Sequence, residues 1–502
     1  MQEIEACVHI DAMDVIAPID PRLYSSFIEH MGRAVYTGIY EPAHPTADEQ
    51  GFRQDVMALI KPLALPLIRY PGGNFLSGYR WEDGIGDKAA RPARPDLAWS
   101  AIEPNQVGTD EFMDYCRKLG AMPMMGVNLG TGTPQDAVNL LEYCNGELPT
   151  HYAELRRRNG HPAPYKIKTW CLGNEMDGPW QICGMDAEEY GRIACKTARM
   201  MKWLDPSIEL VACGSSFRDM PSFGAWERTV LSHCYTDIDY LSLHQYYQNK
   251  DGDIPSFLAR NMEMDGFINE VAAICREIKR QKNTDHDVYL SFDEWNVWYH
   301  YQQEGKDAPK WIVGRAIEEE RYNVADALLV GGMLQTLMRN ADTVKIACLA
   351  QLVNALAAIM TEPNGRAWAQ TIYYPFLLAS RYGRGVSLRC DVAVPTYSCA
   401  VADQTPYLDA APVLSSDGTL SLFLLNRSVD TPLHCTVALD GFTPARVLEH
   451  VGLYAHALTD CNTADASPVV PRTLSGALLH EDTVAATLPA ASWSVLRLGA
   501  AR

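Results

Sequence analysis

Two glutamates stand where short apolar runs turn abruptly polar: Glu175 in Trp170-Cys-Leu-Gly-Asn-Glu-Met-Asp177 and Glu294 in Tyr289-Leu-Ser-Phe-Asp-Glu-Trp-Asn296. Runs of this kind read as buried strands, and their polar ends as the points where the chain leaves the core. Paired carboxylates at such ends are what cleavage of a glycosidic bond needs. One arrives protonated to release the leaving alcohol, while the other stays ionised to attack or to activate water. A single strand-end glutamate is more often a solvated or salt-bridged surface group, but two in matched contexts point to chemistry.

The elements that must position them follow a βα alternation. Strand-like runs occur at 23–29, 66–71, 122–129, 168–174, 209–215, 240–245, 288–294 and 343–352, with longer helical patterns between them. Eight such steps predict an α/β fold, a closed (β/α)8 barrel over residues 16–375, with Glu175 ending the fourth strand and Glu294 the seventh. Thr133-Pro134 supplies a cap and first-turn proline for a helix whose stripe is Ala137, Leu140, Leu141 and Cys144 and which Gly146 ends. Asp186, with Glu189 three residues on, opens another. Beyond residue 375 the pattern becomes short β-forming runs, such as 419–426 and 492–498, separated by turns such as Asp417-Gly418. These predict a jelly-roll-like β-sandwich over residues 376–502, joined by residues 1–15, whose run 6–12 is strand-like.

In such a barrel the functional groups sit at the C-terminal strand ends. Those ends carry Phe27-Ile-Glu29-His30, Arg69-Tyr-Pro-Gly-Gly-Asn74-Phe75, Asn174-Glu175, His244-Gln-Tyr246-Tyr247, Glu294-Trp-Asn296, and Gln351 with Asn354. Sugar hydroxyls need donors and acceptors around an apolar face, and this set has both. Arg69 and Glu29 read equally well as a buried ion pair bracing the barrel mouth. Trp295, with strand neighbours, reads as core, and His244 as an orienting group rather than a metal ligand. Gly72-Gly73 reads as a tight turn beneath the sugar.

The bulk numbers exclude other classes. With 502 residues, 47% hydrophobic, the chain buries a large core. A formal charge of −19 argues against nucleic acid or an anionic membrane as partner and favours a neutral substrate. Fourteen cysteines without Cys-x-x-Cys or zinc-ligand spacing read for the most part as buried free thiols, with no metal or cofactor expected. With an acidic N-terminus lacking a signal-peptide pattern, they point to the cytoplasm. Gly130-Thr-Gly132 is too short for a nucleotide loop, Asn426-Arg-Ser428 matches a glycosylation acceptor only for a secreted chain, and no Gly-x-Ser-x-Gly elbow exists.

Longer segments carry a resemblance. Arg69 to Phe75, Gly78-Tyr-Arg-Trp-Glu-Asp-Gly84, Leu97-Ala-Trp99, Leu172 to Gln181, Ser242 to Tyr247 and Phe292 to Tyr299 resemble the glycoside hydrolase family 51 α-L-arabinofuranosidases, a family of retaining clan A glycosidases, across essentially the whole chain. The resemblance implies an exo-acting, retaining hydrolase of terminal arabinofuranosyl residues on arabino-oligosaccharides or arabinoxylo-oligosaccharides, often hexameric. It implies that Glu175 is the acid/base and Glu294 the nucleophile. It places Glu29, Arg69, Asn74, Asn174, Tyr246 and Gln351 around the furanose, His244 near the carboxylates, and Trp99 and Trp298 as walls of the leaving-group side. Both tryptophans also read as ordinary core aromatics. Cys183-Gly-Met-Asp186 and Gln248 depart from the family pattern, in loops that would govern leaving-group preference. Another clan A glycosidase, a β-glycosidase or endoglucanase, and a non-catalytic sugar-binding barrel remain the alternatives.

Overall fold

The computed structural model describes residues 4–299 and 309–500. Eight parallel strands close into a barrel: Ser25–Phe27, Leu67–Tyr70, Met122–Val127, Thr169–Leu172, Glu209–Ala212, Tyr240–Tyr247, Tyr289–Val297 and Val344–Leu349. Each pairs with its sequence neighbour, and the eighth returns to the first through Cys348 opposite Ser25. These are the eight runs expected.

Alternation along the strands sorts the side chains. In the fourth strand Trp170 and Leu172 face the surrounding helices, while Cys171 joins Phe27, Leu67, Met124, Val211, Tyr240, Ile346 and Cys348 inside the barrel. Arg69, two residues beyond Leu67, is thereby carried inward above this plug. The expected caps form: the Thr133 side chain accepts from the Asp136 amide at the start of Pro134–Asn145, and Asp186 accepts from the Glu189 amide at the start of Ala187–Leu204.

The sixth and seventh strands run two or three residues past their expected ends. The added residues, Tyr246 and Tyr247 and Trp295 to Val297, lie past the point where the apolar run stops, yet His244 to Tyr247 and Glu294 to Val297 pair with one another in register. The seventh strand also bulges, setting Ser291 opposite Ser242 but Glu294 opposite His244.

Ten of the other strands form one sheet that curls over its own core, and the rest of those described pair off in three short two-stranded ribbons. The N-terminal strand Ile4–Pro18 lies inside the ten-stranded sheet, parallel to Leu433–Asp440 and antiparallel to Val386–Ala393. Strand Thr419–Asn426 is buried on both faces: Leu420, Leu422 and Leu424 enter the sheet's own core, whereas Phe423 and Leu425 join the barrel's core with Trp493. The Trp493 indole N–H donates to Gln335 of helix Val324–Arg339 at 2.9 Å, tying sheet to barrel.

Candidate active site

The barrel mouth holds a cavity of about 630 Å³, lined by Glu29, Asn74, Trp99, Glu175, Tyr246, Glu294, Trp298 and Gln351 among others. Beneath it lie Arg69, Asn174 and His244, all buried. Every residue expected at the site is therefore brought to one place.

Glu294 accepts from Arg69 Nη1 at 2.6 Å and from the Tyr246 hydroxyl at 2.8 Å. Arg69 reaches Asn174 Oδ1 with its other terminal nitrogen at 2.6 Å, so one planar fork orients the residue before Glu175 and the carboxylate of Glu294 together. Burial opposes charge on Arg69, but Asp293 and Glu294 outweigh it and push its pKa well above the usual value. The Tyr246 phenol is held well above its ordinary range, first by burial and then by Glu294.

Glu175 stands two residues after Gly173, whose φ is 86°, and itself adopts φ 44°. A left-handed conformation at a bulky residue costs about 1–3 kcal/mol and persists where the surroundings over-determine it. Those surroundings are His244 Nδ1, 2.9 Å from Oε1, and the Trp180 indole nitrogen, 2.6 Å from Oε2. His244 spans from Glu175 to Asp293, with Nε2 3.1 Å from Oδ1. Burial works against its charge, yet Glu294, Asp293 and Glu175 overcome this and raise the imidazole to about 10. Asp293 is held below the carboxylate range: burial would raise it, but Arg69, His244 and Ser242 prevail.

The Arg69 to Glu29 ion pair does not form; Arg69 lies against Asp293 and Glu294. Glu29 instead accepts from the Phe75 amide at 3.0 Å, from the Trp99 indole at 2.9 Å and from Gln351 Nε2 at 3.2 Å. Burial, with a smaller contribution from the Glu294 charge, lifts it to about 8 against the pull of these donors. Gly73 is required here by space, since a Cβ would stand 2.1 Å from Glu29 Oε2. Trp99 and Trp298 are half-buried at the cavity wall, and Trp295 is fully buried in the core, as read from its neighbours.

Asp293 and Trp180 went unread in the sequence. Strict alternation points Asp293 away from Glu294, and the bulge in the seventh strand is what turns both inward. Trp180 sits in a loop, without periodicity to place it. The ligating atoms of Glu175, His244 and Glu294 lie within 4.8 Å of one another, a spacing a divalent ion accepts. With the imidazole cationic and both its nitrogens engaged by carboxylates, this trio is an ion network rather than a free donor set.

Residues 59–262 match the α-L-arabinofuranosidase 1 domain and residues 293–492 the α-L-arabinofuranosidase C-terminal domain. The intracellular exo-α-(1→5)-L-arabinofuranosidase 1 of Bacillus subtilis is 51% identical over 490 residues, covering 97% of this chain and 98% of that one. The chain belongs to the family 51 α-L-arabinofuranosidases. A second relative in this family, the exo-α-(1→6)-L-arabinofuranosidase of Bifidobacterium longum, is 45% identical across 96% of this chain and 95% of its own. The solved family 51 α-L-arabinofuranosidase from Bifidobacterium longum superposes with a TM-score of 0.94 at 41% identity, over 98% of this chain and 99% of that one. The family 51 fold therefore extends through the terminal sheet as well as the barrel.

Proposed function

We propose that the chain is an exo-acting, retaining α-L-arabinofuranosidase that removes terminal arabinofuranosyl residues from arabino-oligosaccharides or arabinoxylo-oligosaccharides inside the cell. The observation that carries the mechanism is the separation of the two carboxylates. Their nearest oxygens lie within 4.8 Å, in keeping with the about 5–5.5 Å of enzymes that attack directly and too close to seat a water between them. The Bacillus subtilis relative's name supports the exo action and the intracellular setting, and the two relatives differ in linkage, (1→5) against (1→6).

In this reading Glu294 attacks the anomeric carbon while Glu175 protonates the departing oxygen. The C–O bond to the leaving group breaks as the ester bond to Glu294 forms. Glu175, now ionised, takes a proton from water, whose oxygen displaces Glu294 from the sugar and leaves Glu175 protonated and Glu294 ionised as at the start. Arg69 and Tyr246 hold Glu294 in line, and Asn174 donates to the 2-hydroxyl, a contact that strengthens in the transition state. Glu29, Asn74 and Gln351 take the remaining hydroxyls, and Trp99 and Trp298 wall the entrance. The oligomer is a hexamer by the same resemblance, which light scattering tests as six copies of a 55.8 kDa chain.

A panel of 4-nitrophenyl glycosides tests the assignment. The α-L-arabinofuranoside is expected to be cleaved far faster than the β-xylopyranoside or β-glucopyranoside, and Glu294→Gln to abolish turnover while the fold persists by circular dichroism. Preferred cleavage of either pyranoside would overturn the specificity. Full activity in Glu294→Gln would overturn the mechanism.

A further inference from the structure

The loop after the fourth strand brings an indole onto the carboxylate that the proposed mechanism uses twice. Trp180 Nε1 stands 2.6 Å from Glu175 Oε2, while Oε1 faces His244 at 2.9 Å. An indole N–H only donates, so Oε2 is an acceptor in this arrangement. The ring does not reach there by chance. Trp180 stacks on Phe217, with centroids 5.9 Å apart and planes 17° apart, and both rings line the cavity. Gly178 makes room for it: a Cβ at that position would lie 2.6 Å from the indole. Phe217 fixes the ring's face, Gly178 its approach and Glu175 the direction of its N–H.

We propose that Trp180 is a positioning residue for the acid/base carboxylate, holding Glu175 Oε2 from the outer side of the cavity in the orientation from which it meets the leaving group. The inference rests on the reading of Glu175 as the acid/base. Trp180 is 44% exposed, so its N–H is a contact that an incoming leaving group can replace. Releasing it frees Oε2 to carry the proton that the first step spends. Glu175 is also faced by His244 and Tyr246 from the sixth strand, Glu294 from the seventh with Asp293 behind His244, Asp177 two residues on, and Asp219 across the cavity. These groups remain in a Trp180 variant, which isolates the contribution of the N–H.

The test is the pH dependence of kcat/KM, which reports the free enzyme, measured on phenyl and on 2,4-dinitrophenyl α-L-arabinofuranoside. Trp180→Phe keeps an aromatic ring on Phe217 but loses the donor. Its basic limb on the phenyl substrate is expected to move upward, because a donor to the charged carboxylate is removed. Gly178→Ala, which displaces the ring, is expected to move the limb the same way, and thermal melts of both variants establish that they fold. With the dinitrophenyl leaving group, which departs without protonation, the rate of Trp180→Phe is expected to stay within about twofold of wild type. An unmoved limb with equal losses on both substrates makes Trp180 a wall of the cavity only and overturns the proposal. Glu175→Ala separates the two readings: if it loses no more on the phenyl than on the dinitrophenyl substrate, the acid/base assignment itself fails. If it behaves as an acid/base variant while the Trp180→Phe limb stays put, only the role of Trp180 fails.

Discussion

Tyr246 donates to Glu294 at 2.8 Å from a phenol that burial keeps protonated. A hydrogen bond to a charged group is worth about 1.5–3 kcal/mol, so Tyr246→Phe is expected to lower kcat/KM on an aryl arabinofuranoside by about 10- to 150-fold with the melting temperature little changed. His244 gives a different kind of prediction. Its folded-state pKa of about 10 exceeds the 6.5 of a free imidazole, so the network between Glu175 and Asp293 stabilises the fold fully below pH 6.5. That contribution is lost as pH rises through about 10. Denaturant midpoints are expected to fall from pH 7 to pH 10 in the wild type and to fall less steeply in His244→Asn. Equal slopes would remove His244 from the linkage. At this scale the sequence named Glu175, Glu294 and their main partners because their types and strand-end positions are local properties. Asp293 stayed hidden because its direction depends on a bulge that the paired strand creates.

Elements join through residues that a local pattern leaves unexplained. Gly331 lies within helix Val324–Arg339, where glycine is a poor helix former. A Cβ there would stand 2.4 Å from Trp493 Cδ1, so the glycine is the seat for the sheet's largest buried ring. Gly331→Ala is expected to destabilise by about 1–3 kcal/mol through overpacking, seen as a lower melting temperature by calorimetry, with catalysis at 25 °C nearly intact. The eight barrel strands were legible because each is an apolar run between turn signals, and the caps at Thr133 and Asp186 because they are signalled within four residues. The far ends of the sixth and seventh strands were not, since Tyr246, Tyr247 and Trp295 to Val297 follow the point where each apolar run stops and are strand only through their mutual register.

For the whole molecule, the N-terminal strand is the long-range tie. Ile4–Pro18 is inserted between Val386–Ala393 and Leu433–Asp440, with Ala6, Val8 and Ile10 buried in the sheet core. Removing residues 1–18 would leave two strand edges unpaired and that core open. The truncated chain is expected to be recovered as aggregate, or to melt well below the full chain, when expressed alongside it. A soluble truncation with an unchanged melting temperature would show that the strand is dispensable. By itself the sequence determined the barrel, the two carboxylates and the class of chemistry, because periodicity and residue type are written within a dozen positions of each other. Only the tertiary structure decided that Arg69 serves Glu294 and Asn174 rather than Glu29, that Asp293 backs His244, and that Trp180 reaches Glu175. Those partners come from different strands and loops, and their meeting depends on barrel closure, the bulge and the space left at Gly178, none of which a linear pattern encodes.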